Sequence, residues 1–234
     1  MDIDDKFKLL SHGELVVTAR LVDASNATLF AQASDSINEI NCIYKPIAGE
    51  RPLWDFPDGT LADREFAAFL VSSYLGFNIV PLTILREGPY GLGMVQEWIE
   101  IDESIDLAEY FSQDLPELRK MAVFDAIINN TDRKIGHLIP TSEGSLFGCD
   151  HGVTFHHEDK LRTVLWQWAG DKLTDNEITT LKKLVSGIET DLDLSPFLTE
   201  QEIQALLNRV HNLISTELMP TPNPDWPAIP WPAF

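Results

Sequence analysis

Basic residues are scarce in this chain. Lys and Arg number 17 against 37 Asp and Glu, a formal net charge of −20. A field of that sign repels polyanions at long range, so nucleic acid and anionic membrane surfaces are poor partners. Cysteine is nearly absent as well. The two present, Cys42 and Cys149, lie in apolar, strand-like runs and read as buried free thiols of a cytoplasmic protein. No stretch approaches the ~18 consecutive apolar residues of a transmembrane helix, so no stable membrane insertion is expected. The opening MDIDDKFKLL is acidic and lacks the apolar centre of a secretory signal. Internal repeats are missing. His151, His156 and His157 do not follow the spacing of a known zinc motif, so no structural zinc is expected.

What remains is a globular composition: 234 residues, 44% of them hydrophobic. Residues 13–22 and 27–33 are apolar and β-branched, separated by a small polar turn that contains Ser25 and Asn26, and read as a hairpin. A third strand, 40–46, is stopped by Pro46. Apolar residues recur at helical spacing over 61–75, with Glu65 on the same face. A second hairpin is expected around GPYG, before Gln96. From about residue 104 the pattern is mainly helical. One helix runs into the polar loop NNTDRKIGH, and a short strand at 145–150 ends on Asp150. Two capping boxes, TDNE at 174–177 and TEQE at 199–202, open amphipathic helices. Trp166 and Trp168 alternate at strand spacing. The tail 219–234 has six prolines in sixteen residues, which excludes helix and central strand. Its aromatic residues favour docking, in cis or on a protein partner.

Four residues share a chemical logic. Lys45 ends a strand, Glu65 lies on the inward face of the next helix, Asp132 sits in a polar loop after a helix, and Asp150 ends a strand before His151 and Gly152. Phosphoryl transfer needs a cation on the nucleotide phosphates and a partner that orients it. It also needs a carboxylate at the attacking hydroxyl and another that holds a divalent metal.

The stretches FDAIINNTDRKIGHLI and FGCDHGVTF resemble the catalytic and metal-binding loops of phosphatidylinositol 3-/4-kinase-like proteins, the type II phosphatidylinositol 4-kinases above all. With ASNATL, YKPIAGERPLWDFPDGTLADRE and the tryptophan-proline tail, the chain over nearly its full length also resembles an actinobacterial family described only as phosphatidylinositol 3-/4-kinase-like. The resemblance implies an α+β, two-lobed protein-kinase-like fold: a β-rich N-lobe over 1–98, a helical C-lobe over 99–218, and the tail over 219–234. It implies ATP and Mg²⁺ or Mn²⁺ as cofactors. It also implies roles. Asp132 orients or deprotonates the acceptor hydroxyl, and Arg133 and Lys134 stabilise charge on the transferred group. Lys45 binds phosphate with Glu65 as its ion-pair partner, and Asp150 binds metal. Asp125 braces the loop. Ser25 and Asn26 offer polar groups to the phosphates, and Gln96, Glu97 and Trp98 flank the base.

Two departures matter. Such kinases usually place Asn five residues after the catalytic Asp as second metal ligand; here that position is His137, with Asn130 a substitute oxygen ligand. The turn over the phosphates contains no glycine. The sequence therefore implies an ATP-dependent phosphotransferase whose acceptor is a protein, itself included, or a small metabolite rather than a membrane lipid. The alternative is a pseudokinase that binds nucleotide without turnover. A third reading is an interaction protein with a vestigial cleft.

Overall fold

Period-two patterning builds the first half of the chain. β1 (Glu14–Arg20), β2 (Leu29–Ser34), β3 (Glu39–Pro46), β4 (Thr83–Gly88) and β5 (Gly91–Glu97) form one antiparallel sheet in the order β1-β2-β3-β5-β4. The computed structural model describes all residues except 22–25 and 58. Side chains alternate across a pleated strand. On β3 this sends Cys42 and Tyr44 into the core with Ala31 and Ala33 of β2. Ile43 and Lys45 then face the opposite way, into a cleft. A one-residue slip would put Lys45 into the apolar layer; pairing of Lys45 with Met94 and of Pro46 with Gly93 fixes the register.

A helix that the sequence analysis did not assign, α1 (Ile3–His12), seals the core face through Leu9 and Leu10. Its charged residues Asp4, Asp5, Lys6 and Lys8 mask a short apolar face, yet Asp2 caps it by accepting from Asp5 N–H. The helix expected over 61–75 is α2 (Leu61–Leu75). It ends at Gly76 in the left-handed region, φ 71°. Ala67, Ala68 and Val71 are fully buried in the core of the helical half, so α2 serves both halves.

After a short α3 (Leu107–Tyr110), α4 (Pro116–Ile128) runs through the centre of the helical half. Leu118, Met121, Phe124, Ile127 and Ile128 have no exposed surface. Burying each such side chain contributes about 1.5–3 kcal/mol. Asn129 ends the helix with φ 51°, a conformation Asn tolerates. A two-stranded ribbon, β6 (Leu138–Pro140) with β7 (Leu146–Gly148), carries the chain to Asp150. Helices α5 (Asp175–Thr190) and α6 (Glu200–Thr216) both open with the reciprocal capping boxes anticipated, Thr174 with Glu177 and Thr199 with Glu202.

Trp166 and Trp168 do not form a strand. The N–H groups of Ala169 and Asp171 bond back to their carbonyls, which makes a run of turns, and Trp168 is buried with its indole N–H on Asp114. The tail is irregular. Its carbonyls accept from the body of the chain: Ala228 from Thr163 N–H (3.1 Å) and the Trp166 indole (2.9 Å), and Ala233 from Ile135 N–H (2.8 Å). No helix among the described residues is long and apolar enough to cross a membrane.

Candidate active site

Lys45 is the hinge of the site. Its ammonium donates to Glu65 Oε1 at 2.6 Å and to Asp150 Oδ1 at 2.8 Å, and so ties β3, α2 and the loop after β7. Glu65 is almost completely buried, and its second oxygen accepts from His151 N–H at 2.9 Å. A carboxylate this enclosed is tolerable because both oxygens are satisfied. Burial alone would pull the Lys45 ammonium down, but Asp150 and Glu65 outweigh it and hold it charged. Lys45 in turn holds the Asp150 carboxyl well below the usual carboxylate range. Asp150 has φ 60°, which turns its carboxylate toward the cleft; its side chain is 46% exposed.

Two hollows meet at this bridge, and Lys45, Asp150 and Asn26 line both. The first, about 440 Å³, is mostly apolar. Ile43, Leu138, Ile99 and the residues Gln96, Glu97 and Trp98 line it. Gln96 Nε2 donates to Thr83, Glu97 pairs with Lys6 of α1, and Trp98 stands edge-on to Phe30. The second, about 430 Å³, holds Asp132. Asn26 also accepts from Arg51 N–H at 2.9 Å. Ser25 lies outside the described residues.

Asp132 sits between two cations, Lys134 Nζ at 3.0 Å and Arg162 Nη2 at 3.5 Å. Burial raises its pKa despite them. Its backbone N–H is held by the Asn130 side-chain oxygen at 3.0 Å. That bond corrects one expectation. Asn130 is fully buried, its oxygen on Asp132 and its amide on Asp125, so it braces the loop and offers no ligand to a metal. Arg133 is a second correction. It is fully enclosed, with several bonds to Asp125 of α4 and one to the Cys149 carbonyl, and cannot reach a transferred group. The brace anticipated at Asp125 thus has Arg133, Asn130 and Thr163 as its partners.

His137 lies 3.5 Å from Asp150 Oδ2. Burial pushes its pKa down to about 4, so the ring is neutral. Nδ1 accepts from Lys134 N–H at 3.4 Å, which leaves the proton on Nε2, the nitrogen that faces Asp150. In that tautomer Nε2 carries the proton, and presenting its lone pair to a metal would cost only the long bond from Lys134 N–H. No group of three or more His, Cys, Asp or Glu among the described residues could hold a metal alone. Asp150, its side chain 46% exposed in the cleft, is the residue that could hold one with other groups. Mg²⁺ and Mn²⁺ fit such a site, because hard ions bind through one or two carboxylates and complete their shell with substrate phosphates and water.

Both cysteines are free, and Cys149 is only half-buried rather than buried. Burial raises Cys42 to about 12 and Cys149 to about 11, so neither is a reactive thiolate. Trp54 and Arg162 around the second hollow had no signal in the sequence, and Trp226 was expected only to dock with the tail. They are far apart along the chain, and only the fold assembles them.

No family model matches the chain. Protein Rv2133c of Mycobacterium tuberculosis is 41% identical over 268 aligned positions that cover 99% of this chain and 96% of the relative. The chain belongs to the Rv2133c family. Among solved structures, the Golgi casein kinase with Mn and ADP bound covers 95% of this chain and 80% of its own, at 14% identity and a TM-score of 0.61. A second crystal structure of the Golgi casein kinase covers 91% and 73%, at 13% identity and a TM-score of 0.57. The α+β fold of this Rv2133c relative is therefore two-lobed and protein-kinase-like, with a β-rich N-lobe and a helical C-lobe.

Proposed function

We propose that this chain is an ATP-dependent phosphotransferase, an atypical kinase of phosphatidylinositol 3-/4-kinase-like type. One observation carries the reading: the Lys45 ammonium is locked between Glu65 and Asp150 at the junction of an apolar hollow and a polar hollow that holds Asp132. The apolar hollow suits a purine between Ile43 and Leu138, beside Gln96, Glu97 and Trp98. Lys45 holds phosphate oxygens, Glu65 keeps it oriented, and Asn26 offers its polar groups from the roof. Asp150 would bind Mg²⁺ or Mn²⁺, which when bound neutralises phosphate charge. Asp132 positions the acceptor hydroxyl and takes its proton, and Lys134 sits beside it to offset charge. Residues 1–98, 99–218 and 219–234 then act as nucleotide lobe, catalytic lobe and docked tail. Two unreactive free thiols suit a reducing cytoplasm.

A second reading, a pseudokinase that binds nucleotide without turnover, is favoured by His137, which stands where such kinases carry Asn as second metal ligand. Incubation with γ-labelled ATP and Mg²⁺ or Mn²⁺ separates them. Label transfer or ATP hydrolysis that disappears in Asp132→Asn and in Asp150→Asn supports the phosphotransferase. ADP binding without either activity supports the pseudokinase. Activity that survives both substitutions overturns the assignment of roles.

A further inference from the structure

The second hollow has a wall that no kinase chemistry requires. The segment 51–57 brings Trp54 and Asp55 to its rim, and the C-terminal tail brings Trp226. The ammonium of Lys160 joins them. It lies 4.7 Å from the centre of the Trp54 ring and 5.1 Å from that of Trp226. It also bonds to Asp55 Oδ2 at 3.1 Å and Glu158 Oε2 at 3.0 Å. Lys160 is only 4% exposed, so this is a built junction and not a chance surface contact. Its desolvation is offset by two carboxylates and two ring faces. Trp54, by contrast, is 85% exposed. An indole held in place from one side and left open on the other is costly in water unless it meets something.

Size and charge narrow what that is. At about 430 Å³ the hollow lies toward the small end of ligand sites, which run from about 300 to 1,000 Å³. Part of it must admit the phosphate end of a nucleotide. The lining carries five carboxylates and three Lys or Arg side chains, a balance of −2, and nucleotide phosphates bring more negative charge than one divalent ion cancels. An anionic acceptor would then add uncompensated charge, and an uncharged one would not. Asp132 and Arg162, 3.5 Å apart, offer an acceptor and a donor fork to neighbouring hydroxyls. The exposed indole offers an apolar face to C–H edges.

We infer that this hollow binds a small, uncharged, sugar-like polyol ring as the phosphoryl acceptor, with Trp54 and Trp226 as its specificity-determining walls; this rests on the phosphotransferase reading above. One ring hydroxyl oxygen forms the new bond to the γ-phosphorus while the bond from that phosphorus to the β–γ bridging oxygen breaks. ADP leaves, and the hydroxyl proton passes to Asp132 and on to solvent. The tail is then part of the acceptor site, because Trp226 belongs to it.

The test uses the full chain and a panel of free aldoses: glucose, galactose, mannose and xylose. Intrinsic tryptophan fluorescence is titrated with each sugar, with and without ADP and Mn²⁺, and γ-labelled ATP is followed into sugar in parallel. The expected result is saturable quenching and label transfer for at least one aldose. Trp54→Ala and Trp226→Ala should each weaken that sugar about tenfold or more, while ADP affinity stays unchanged. Trp54 is exposed enough that its variant folds. Label that enters only a Ser/Thr peptide or the protein itself overturns the inference, as does ADP binding with no response to any aldose. Loss of ADP binding in the wild type would instead sink the phosphotransferase reading and this inference with it.

Discussion

Arg64 and Glu202 form an ion pair that joins α2 to α6 in the interior of the protein. Arg64 also donates to the Thr154 carbonyl at 2.7 Å and lies over the Phe56 ring. It immediately precedes Glu65. The position of α2, and with it the reach of Glu65 to Lys45, is thus set from the helical lobe. Removing one partner of a buried pair leaves the other charge stranded, which typically costs about 3–5 kcal/mol. Arg64→Met should lose stability of that order in urea unfolding, and should weaken ADP binding as well. Glu202→Gln should cost less, because an amide still accepts from Arg64. Near-equal stability of Arg64→Met and wild type would remove the pair from this role.

Acid should undo the same contact. Burial raises the Glu202 pKa, but hydrogen bonds and charge from Arg64 outweigh it, so the net shift is downward. A carboxylate depressed in the folded state contributes stability that is fully present above its unfolded value. It is lost as pH falls from there through the folded one. Wild type should lose stability as pH drops below about 4.3, the ordinary Glu value. Glu202→Gln should show a shallower slope over that window in thermal melts; identical slopes would refute the linkage.

Asp132 titrates in the opposite sense. Burial raises it, and Lys134 followed by Arg162 pulls back. As the group that accepts a proton it must be ionised, so kcat should fall on the acid side through a pKa above the ordinary Asp value. Arg162→Ala removes a restraining charge and should move that limb to higher pH. A limb that stays put, or moves down, in the kcat–pH profile would mean that another group sets it.

Lys45→Met leaves Glu65 and Asp150 without their shared counter-charge. Nucleotide affinity should drop by about tenfold or more, equivalent to about 1.4 kcal/mol, as read by calorimetry with ADP and Mn²⁺. The pKa of Asp150 should rise, since the Lys45 charge is the main cause of its depression. Unaltered ADP affinity in a folded variant would make Lys45 a purely structural lysine.

Much of the cluster around Lys45 was legible before folding. The alternation that puts Lys45 opposite Tyr44, the spacing that turns Glu65 inward, and the order of Asp132 and Asp150 are all local patterns. The far wall of the second hollow was not. Lys160 lies over both Trp54 and Trp226, across gaps of roughly a hundred and of sixty-six residues that no periodicity spans. Polar residues in one short loop were also indistinguishable by type. Asn130, Arg133 and Asp132 read alike in sequence, yet two of them turn inward as braces and one faces the cleft. α1 escaped because its charges hide a two-leucine contact.

The segment after Asp150 bears on control. Asn129 donates to the carbonyls of His156 and Glu158 and accepts from Lys160 N–H, while Thr131 bonds Val153 and Asn130 bonds Arg162. Between residues 153 and 163 the only hydroxyls belong to Thr154 and Thr163, and both are buried and bonded inward. The segment is thus ordered by its own hydrogen bonds. Under the proposed function, the loop that carries Asp150 would need no added phosphate to hold it in place.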